Sequence, residues 1–351
     1  MDLDQFEKFH AIDPENMLAE IDHLPEQLEE AWNLGFTQPL SHMDEITAVV
    51  IAGMGGSAIG ADLLAATVAD ICPIPVVVQR DYNLPAWARN GNTLVILSSH
   101  SGNTEETLSA FDSAIKSGCQ MLAISTGGKL QSIMQTTELP VWTFTHHGQP
   151  RAAVGFSYGL LLALFVRLGL IPNIESDVQD AVLAMKSERE TLKAQSPIRT
   201  NPAKRLAGQM VGRNVTIFGA GHMATVARRW KCQINEVAKA LAAYEPLPEA
   251  DHNTLAGIFF PPEQINKQMA LFLHSESDHP RNALRLKFTR ETMMVEGINT
   301  DAYTAKGKSK IEQLWRAIQF GDYTAYYLAM AYDTDPTAIP PITNLKQLMS
   351  K

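Results

Sequence analysis

The sequence predicts an α/β protein of two doubly wound, flavodoxin-like domains, each a parallel sheet flanked by helices. Three observations predict it. Apolar runs at 46–52, 74–80, 93–99, 120–126 and 139–145 alternate with helical patterns, and strands that alternate with helices build parallel sheets. The run at 46–52, ITAVVIA, reads as the continuous apolar strand of a sheet covered on both faces. After residue 213 the pattern restarts, and RNVTIFGAGHMATVARRW repeats the strand, glycine turn and helix of AVVIAGMGGSAIGADLL.

Taken in order, residues 5–33 read as one or two amphipathic helices. Pro14 and Pro25 suit first-turn positions, and Glu26, Glu29 and Glu30 form a solvated face. The first strand runs into Gly53, Gly55 and Gly56, which permit a tight turn and close backbone approach. A helix is expected at 105–117, and the strand at 120–126 ends in Gly127-Gly128. The longest apolar stretch runs from 152 to 171 and is interrupted by Arg167. Its Gly155, Ser157 and Gly159 favour close packing, so a buried core or dimer helix is expected there, and no membrane span. Residues 173–205 are polar and helical in pattern. Further strands are expected at 269–275 and 291–299, and a helix at 309–331. The chain thus divides into N-terminal helices (1–45), a first sheet domain (46–172), a linker helix (173–205), a second sheet domain (206–332) and a C-terminal segment (333–351) packing on the active site.

Composition narrows the function. A chain of 351 residues holds two domains of ordinary size. With 45% hydrophobic and 19% charged residues it suits well-buried layers. A net charge of -9 argues against a nucleic-acid backbone as partner, so any cations that hold an anionic ligand must be concentrated locally. Cys72, Cys119 and Cys232 are far apart with no CxxC pair, as expected of free thiols in a reducing, cytoplasmic setting. The acidic N-terminus lacks the apolar core of a signal peptide.

The chemistry centres on VILSSHSGNTEETL, residues 95–108. A buried strand ends in Ser98, Ser99, Ser101, Asn103 and Thr104 around Gly102, and a helix opens at Glu105. A helix start presents unpaired N–H groups and the positive end of its dipole, and hydroxyl donors around it make a site for a phosphate monoester. The plainer alternative is a capped turn with Asn103 or Thr104 as N-cap. Ser57, beside the glycine turn, belongs to a second such loop, and ligands of doubly wound sheets bind outside the strands' carboxyl ends, where both loops lie. Gly53, Gly55 and Ala58, with Asp81, also fit a dinucleotide fingerprint. The hydroxyl loop favours a sugar phosphate, since it would have no task in a dinucleotide site. His146-His147 are read as structural, because adjacent strand residues face opposite ways and no Cys or carboxylate cluster accompanies them.

GGSAIGAD together with S-x-S-G-N-T-E-E-T resembles the sugar isomerase (SIS) domain superfamily. PRAAVGFSYG (150–159), QINEVAKA (233–240), LPEADHN (247–253), GDYTAYYLA-x-x-Y-x-TDP (321–336) and ITNLK (342–346) resemble one branch of it, the bifunctional phosphoglucose/phosphomannose isomerases. The ordered match runs from about residue 46 over most of the chain. The resemblance implies two SIS domains and a phosphate site of Gly56, Ser57, Ser99, Ser101 and Thr104. It implies that Arg151 stabilises an enediolate-like intermediate, that Glu236 moves a proton between C2 and C1, and that His252 and Lys346 open the sugar ring. It further implies a homodimer with His252 supplied across the interface, and no metal or organic cofactor. His100 and Val237 depart from the family's usual Tyr and Asn; neither departure removes a proposed catalytic group.

Pattern alone reads these residues more plainly. Glu236 lies in INEVAKALAAYE, helical in pattern, and would be a solvated helix glutamate. A working base should be partly desolvated. His252 would be a surface loop histidine, held stiffly after Pro246 and Pro248, with Glu249 and Asp251 as candidates to orient it. Arg151, at the start of a long apolar helix, opposes the dipole and so suggests a task. Lys346 would face solvent. Two other readings stand beside the isomerase. A non-catalytic phosphosugar sensor would not need Glu236, His252 and Lys346 together, and a nicotinamide dehydrogenase would rest on the glycine fingerprint.

Overall fold

A computed structural model describes residues 2–349. The chain forms two compact units, His23–Leu183 and Met1–Asp22 with Ala184–Lys351. The N-terminal stretch supplies a 3-10 turn, Phe6–Ala11, and the helix α1 (Met17–Asp22) to the latter. Pro14 lies in a turn before α1, where the first turn is held by Asp13: its carboxylate accepts the N–H groups of Met17 (2.7 Å) and Leu18 (3.0 Å). This differs from the expected first-turn proline, because a buried side-chain acceptor already satisfies the helix start.

The unit His23–Leu183 opens with α2 (Leu24–Thr37), which has Pro25 in its first turn as expected. Its sheet comprises β1 (Ala48–Ala52), β2 (Val76–Gln79), β3 (Thr93–Ser99), β4 (Gln120–Ser125) and β5 (Val141–Thr143). The strands are all parallel, in the order β2–β1–β3–β4–β5. Every residue of the adjacent strands β1 and β3 is buried, which is why they read as unbroken apolar runs. Between and after the strands come α3 (Gly55–Val68), α4 (Glu105–Lys116), α5 (Gly128–Thr136) and α6 (Val154–Arg167). The core under α4 and α5 is built from Val95, Leu97, Phe111, Met121, Leu130 and Met134. Helix α6 is buried from Val154 to Phe165. It lies so close to α2 that a Cβ on Gly159 would come within 2.7 Å of Ala31 Cβ, which is the close packing its small residues predict. Among the described residues no helix is long and apolar enough to cross a membrane.

Helix α7 (Glu175–Leu192) spans the point at which the units divide. The second sheet comprises β6 (Asn214–Ala220), β7 (Ala242–Leu247), β8 (Gln268–Ser275) and β9 (Asn299–Ala305). It is again wholly parallel, in the order β7–β6–β8–β9. Its helices are α8 (Pro202–Met210), α9 (His222–Glu236), α10 (Pro280–Val295), α11 (Lys310–Ala331) and α12 (Pro340–Met349). Phe218, Leu247, Phe272, Leu286 and Met293 fill the core beneath α10.

Two local expectations fail here. Residues 291–295, read as the start of a strand, are the last turn of α10, where Met293 buries against the sheet; Gly297 (φ 87°) then turns the chain into β9. Residues 237–245, read as helix, break after Glu236 at Lys239 (φ 55°) and continue as β7. Ala and Leu favour a helix, but pairing with β6 from Ala242 onward overrides that weak preference.

Helix α11 is the buried axis of this unit. Its Asp322 forms a two-pronged ion pair with Arg229 of α9 (Nη2 to Oδ2 2.7 Å, Nε to Oδ1 3.2 Å), with both side chains buried. Tyr326 donates to Asp13 (3.1 Å) and Tyr323 donates to Asp22. These buried hydroxyls explain why the first 22 residues belong with the C-terminal half of the chain.

Candidate active site

In the unit His23–Leu183, the carboxyl ends of β1 and β3 carry two loops that meet. The first turns at Gly55 (φ 52°) into α3, with Ser57 buried in the first turn. Gly56 is fixed by space: a Cβ there would stand 2.3 Å from the Pro150 carbonyl oxygen and 3.2 Å from the Arg151 nitrogen. That close approach seats the 3-10 turn Pro150–Ala152 on the loop, with Arg151 buried. Arg151 is therefore no surface arginine. The second loop leaves β3 at Ser99. The His100 backbone N–H donates to Ser57 Oγ (3.2 Å), which joins the two loops.

The loop's own hydroxyls do not cap the helix that follows. Thr104 occupies the N-cap of α4, yet its Oγ1 lies 2.9 Å from Ser99 Oγ and makes no cap bond. Asn103 instead donates to the Ser101 carbonyl oxygen (3.0 Å) and accepts the Lys129 N–H (3.1 Å). The plainer reading, a turn closed by its own cap, thus does not describe this loop. Ser101 is exposed, and its Oγ accepts the Asn103 N–H (3.2 Å). Gly102 takes φ 64° where any Cβ would overlap the Gly127 carbonyl oxygen, so the bend needs glycine. Gly56, Ser57, Ser99, Thr104 and Arg151 are thereby brought together, with Ser101 at the rim. The arrangement offers hydroxyls, helix N–H groups and one buried cation to an anion.

One neighbour escaped the sequence reading. His146 lies beyond β5, which ends at Thr143, so strand alternation does not apply to it. Its Nδ1 is 2.9 Å from His100 Nε2. The signal that could have found it was His100 itself, placed between Ser99 and Ser101.

Glu236, His252 and Lys346 lie on three separate elements of the other unit. Glu236 is the last residue of α9 and is partly buried. Its carbonyl oxygen accepts from Lys239 Nζ (2.8 Å), and Asn235 Nδ2 donates to the Ala240 carbonyl oxygen (2.8 Å). These two bonds bind the turn that ends the helix and set the glutamate at its tip. His252 is exposed at the end of the 3-10 turn Glu249–His252. The suggested orienters are engaged elsewhere. Asp251 accepts from Arg285 Nη1 (2.9 Å) and Thr289 Oγ1 (2.7 Å) of α10, and Glu249 accepts from Asn253 Nδ2 (2.9 Å). They anchor the loop and leave the imidazole to solvent. Lys346 is exposed on α12, a helix with none of its residues buried. Among the described residues no group of three or more His, Cys, Asp or Glu is placed to hold a metal.

A family model described as the bacterial phospho-glucose isomerase C-terminal SIS domain matches residues 199–349. The bifunctional phosphoglucose/phosphomannose isomerase of Caldicellulosiruptor bescii is 39% identical over 95% of this chain and 99% of its own length. That of Thermoplasma acidophilum is 33% identical over 86% of this chain and 89% of its own. Among solved structures, tagatose-6-phosphate ketose/aldose isomerase from Escherichia coli superposes with a TM-score of 0.70 at 16% identity, over 92% of this chain and 95% of that one, which supports the shared fold. By sequence over nearly its full length, this chain belongs to the bifunctional phosphoglucose/phosphomannose isomerase family of the SIS superfamily.

Proposed function

We propose that this chain interconverts glucose 6-phosphate and mannose 6-phosphate with fructose 6-phosphate, by proton transfer through an enediolate. The observation that carries the reading is the loop after β3, where Thr104 turns its hydroxyl to Ser99 and no side chain caps α4. A dianionic ester supplies the charge and acceptors that such a helix start lacks.

The chemistry follows from few parts. In the open-chain aldose, the Glu236 carboxylate takes the C2 proton, and the C–H electron pair forms the C1–C2 double bond while charge moves to O1. Arg151 stabilises that charge. The hydroxyl proton passes from O2 to O1, Glu236 returns its proton to C1, and the ketose results. Mannose and glucose 6-phosphates differ only at C2 and share this intermediate. His252 and Lys346 open the cyclic form by moving a proton between ring oxygen and hydroxyl. Exposure of His252 suits donation across a subunit interface, so a homodimer belongs to the same reading; a catalytically active monomer at assay concentration would count against it. Free thiols at Cys72, Cys119 and Cys232 fit a reducing, cytoplasmic setting.

Glu236→Gln keeps the shape and removes the base. Turnover of both 6-phosphates in a coupled assay should fall by about a thousandfold, with binding of fructose 6-phosphate little changed. Undiminished turnover would refute the assignment of Glu236. Binding without solvent deuterium uptake at C1 or C2 in the native protein would favour the sensor reading.

A further inference from the structure

The turn that carries His252 is tied down on both sides of the histidine. Ala250 is buried in the core with Phe218 and Phe272. The Asp251 side chain is 11% exposed; its Oδ2 accepts from Arg285 Nη1 (2.9 Å) and its Oδ1 from Thr289 Oγ1 (2.7 Å). The Asp251 N–H closes the turn on the Pro248 carbonyl oxygen (3.1 Å). Beyond the histidine, Asn253 Nδ2 donates to Glu249 (2.9 Å), and the Asn253 side-chain oxygen accepts the Thr254 N–H (2.6 Å). His252 stands exposed between these anchors.

The buried residues of α10 are Leu286, Thr289 and Met293. Their spacing, i, i+3 and i+7, makes them one stripe of the helix. Thr289 is thus a hydroxyl in an apolar row, 3% exposed. Packing alone asks for an apolar residue there, and a threonine inside a helix commonly turns its hydroxyl to the carbonyl four residues back. Here the hydroxyl goes to Asp251 instead. Arg285, four residues before Thr289, lies on the same side of the helix and takes the other carboxylate oxygen. Two donors from one rigid element fix the carboxylate in direction as well as distance. The residue next in the chain, His252, inherits that fixed starting point.

We propose that Arg285 and Thr289 are positioning residues: through Asp251 they hold His252 at the angle needed to move a proton between the ring oxygen and the hydroxyl of a hexose 6-phosphate. The inference rests on the reading of His252 as a ring-opening group. Arg285 and Thr289 act through the turn and take no part in gripping phosphate, so their loss slows ring opening and leaves substrate affinity nearly unchanged.

The test is Thr289→Val, which keeps the buried bulk and removes the donor. Opening and reclosing the ring exchanges the two anomers of glucose 6-phosphate, so NMR exchange spectroscopy reads ring opening apart from isomerisation. Anomer exchange above the uncatalysed rate should fall about tenfold, as expected when a hydrogen bond to a charged group that sets geometry is lost, while KM changes by less than about twofold. Thr289→Ser keeps the hydroxyl and should recover most of the rate. In a His252→Asn background, Thr289→Val should change the residual kcat by less than about twofold, whereas a merely structural role would lower it again. Arg285→Met, at a side chain 36% exposed, gives the same reading should Thr289→Val not fold. Native anomer exchange in a folded variant, or an equal further loss of kcat in the His252→Asn background, overturns the positioning role while the His252 reading stands. If His252→Asn itself exchanges anomers at the native rate, the His252 reading fails and the positioning role falls with it.

Discussion

The two sheets end in loops of similar sequence and opposite character. From the end of β3 the chain reads Ser98-Ser99-His100-Ser101-Gly102, and from the end of β8 it reads His274-Ser275-Glu276-Ser277-Asp278. Each lies beside a strand that ends in a Gly-x-Gly turn, with Gly55 (φ 52°) and Gly221 (φ 54°) at nearly equal positive φ. In the second loop, however, the hydroxyls of Ser275 and Ser277 both donate to Gln313 Oε1 of α11. The Ser275 N–H goes to the Asp278 carboxylate (3.0 Å), and Glu276 receives the Gly307 N–H (3.3 Å). Burial pushes the Asp278 carboxyl above its usual range, with the Ser275 N–H opposing that shift. The second loop thus closes on its own side chains and holds two carboxylates that would repel an anion. Serines at a strand end are not sufficient for a phosphate site; what matters is whether the fold has already spent their hydrogen bonds.

That contrast can be broken by moving charge from one loop to the other. Ser101→Asp gives the first loop a carboxylate of the kind that Glu276 and Asp278 bring to the second. Like charge against a dianion costs several kcal/mol, so KM for fructose 6-phosphate should rise by at least about a hundredfold. A variant that keeps native KM would show that the phosphoryl group sits elsewhere. The reverse change, Ser275→Ala, removes a hydroxyl whose task is internal. Denaturant unfolding should show a loss of about 1 kcal/mol, while KM stays within about twofold of native. A large rise in KM would mean that the second loop also meets substrate.

The smallest effect concerns His274, which stands where the first loop has Ser98. Burial lowers its pKa below the usual histidine value, and the positive charge of Arg290 adds to the shift. Below about pH 6.5 the unfolded chain therefore binds a proton that the folded chain still refuses, and stability falls as pH drops through that range toward the folded value. His274→Asn should flatten this acid limb in unfolding curves taken from pH 7.5 to 5. An unchanged slope would place the titrating group elsewhere.

Most of the architecture was legible before the structure. The strand at 93–99 coincides with β3, because a strand buried on both faces must be apolar along its whole length. The helix expected at 309–331 is α11, whose length and apolar content leave little else. The failures share one cause. Residues 237–245 and 291–295 carry weak local signals, and strand pairing with β6 or packing under α10 decides them. His146 lies beyond the end of β5, so strand alternation carries no information about where its ring points.

The amino-acid sequence alone determined the alternation of buried strands with helices, the repeat of that pattern and the small hydroxyl residues at the β3 end. These are local matters of hydrophobic period, turn chemistry and side-chain type. Only the tertiary structure decided which hydroxyls are committed internally, that Arg151 is buried against Gly56, that Asp251 is held by α10, and that His100 meets His146. Each of these depends on residues tens of positions apart, or on the depth of burial, and no local pattern encodes them.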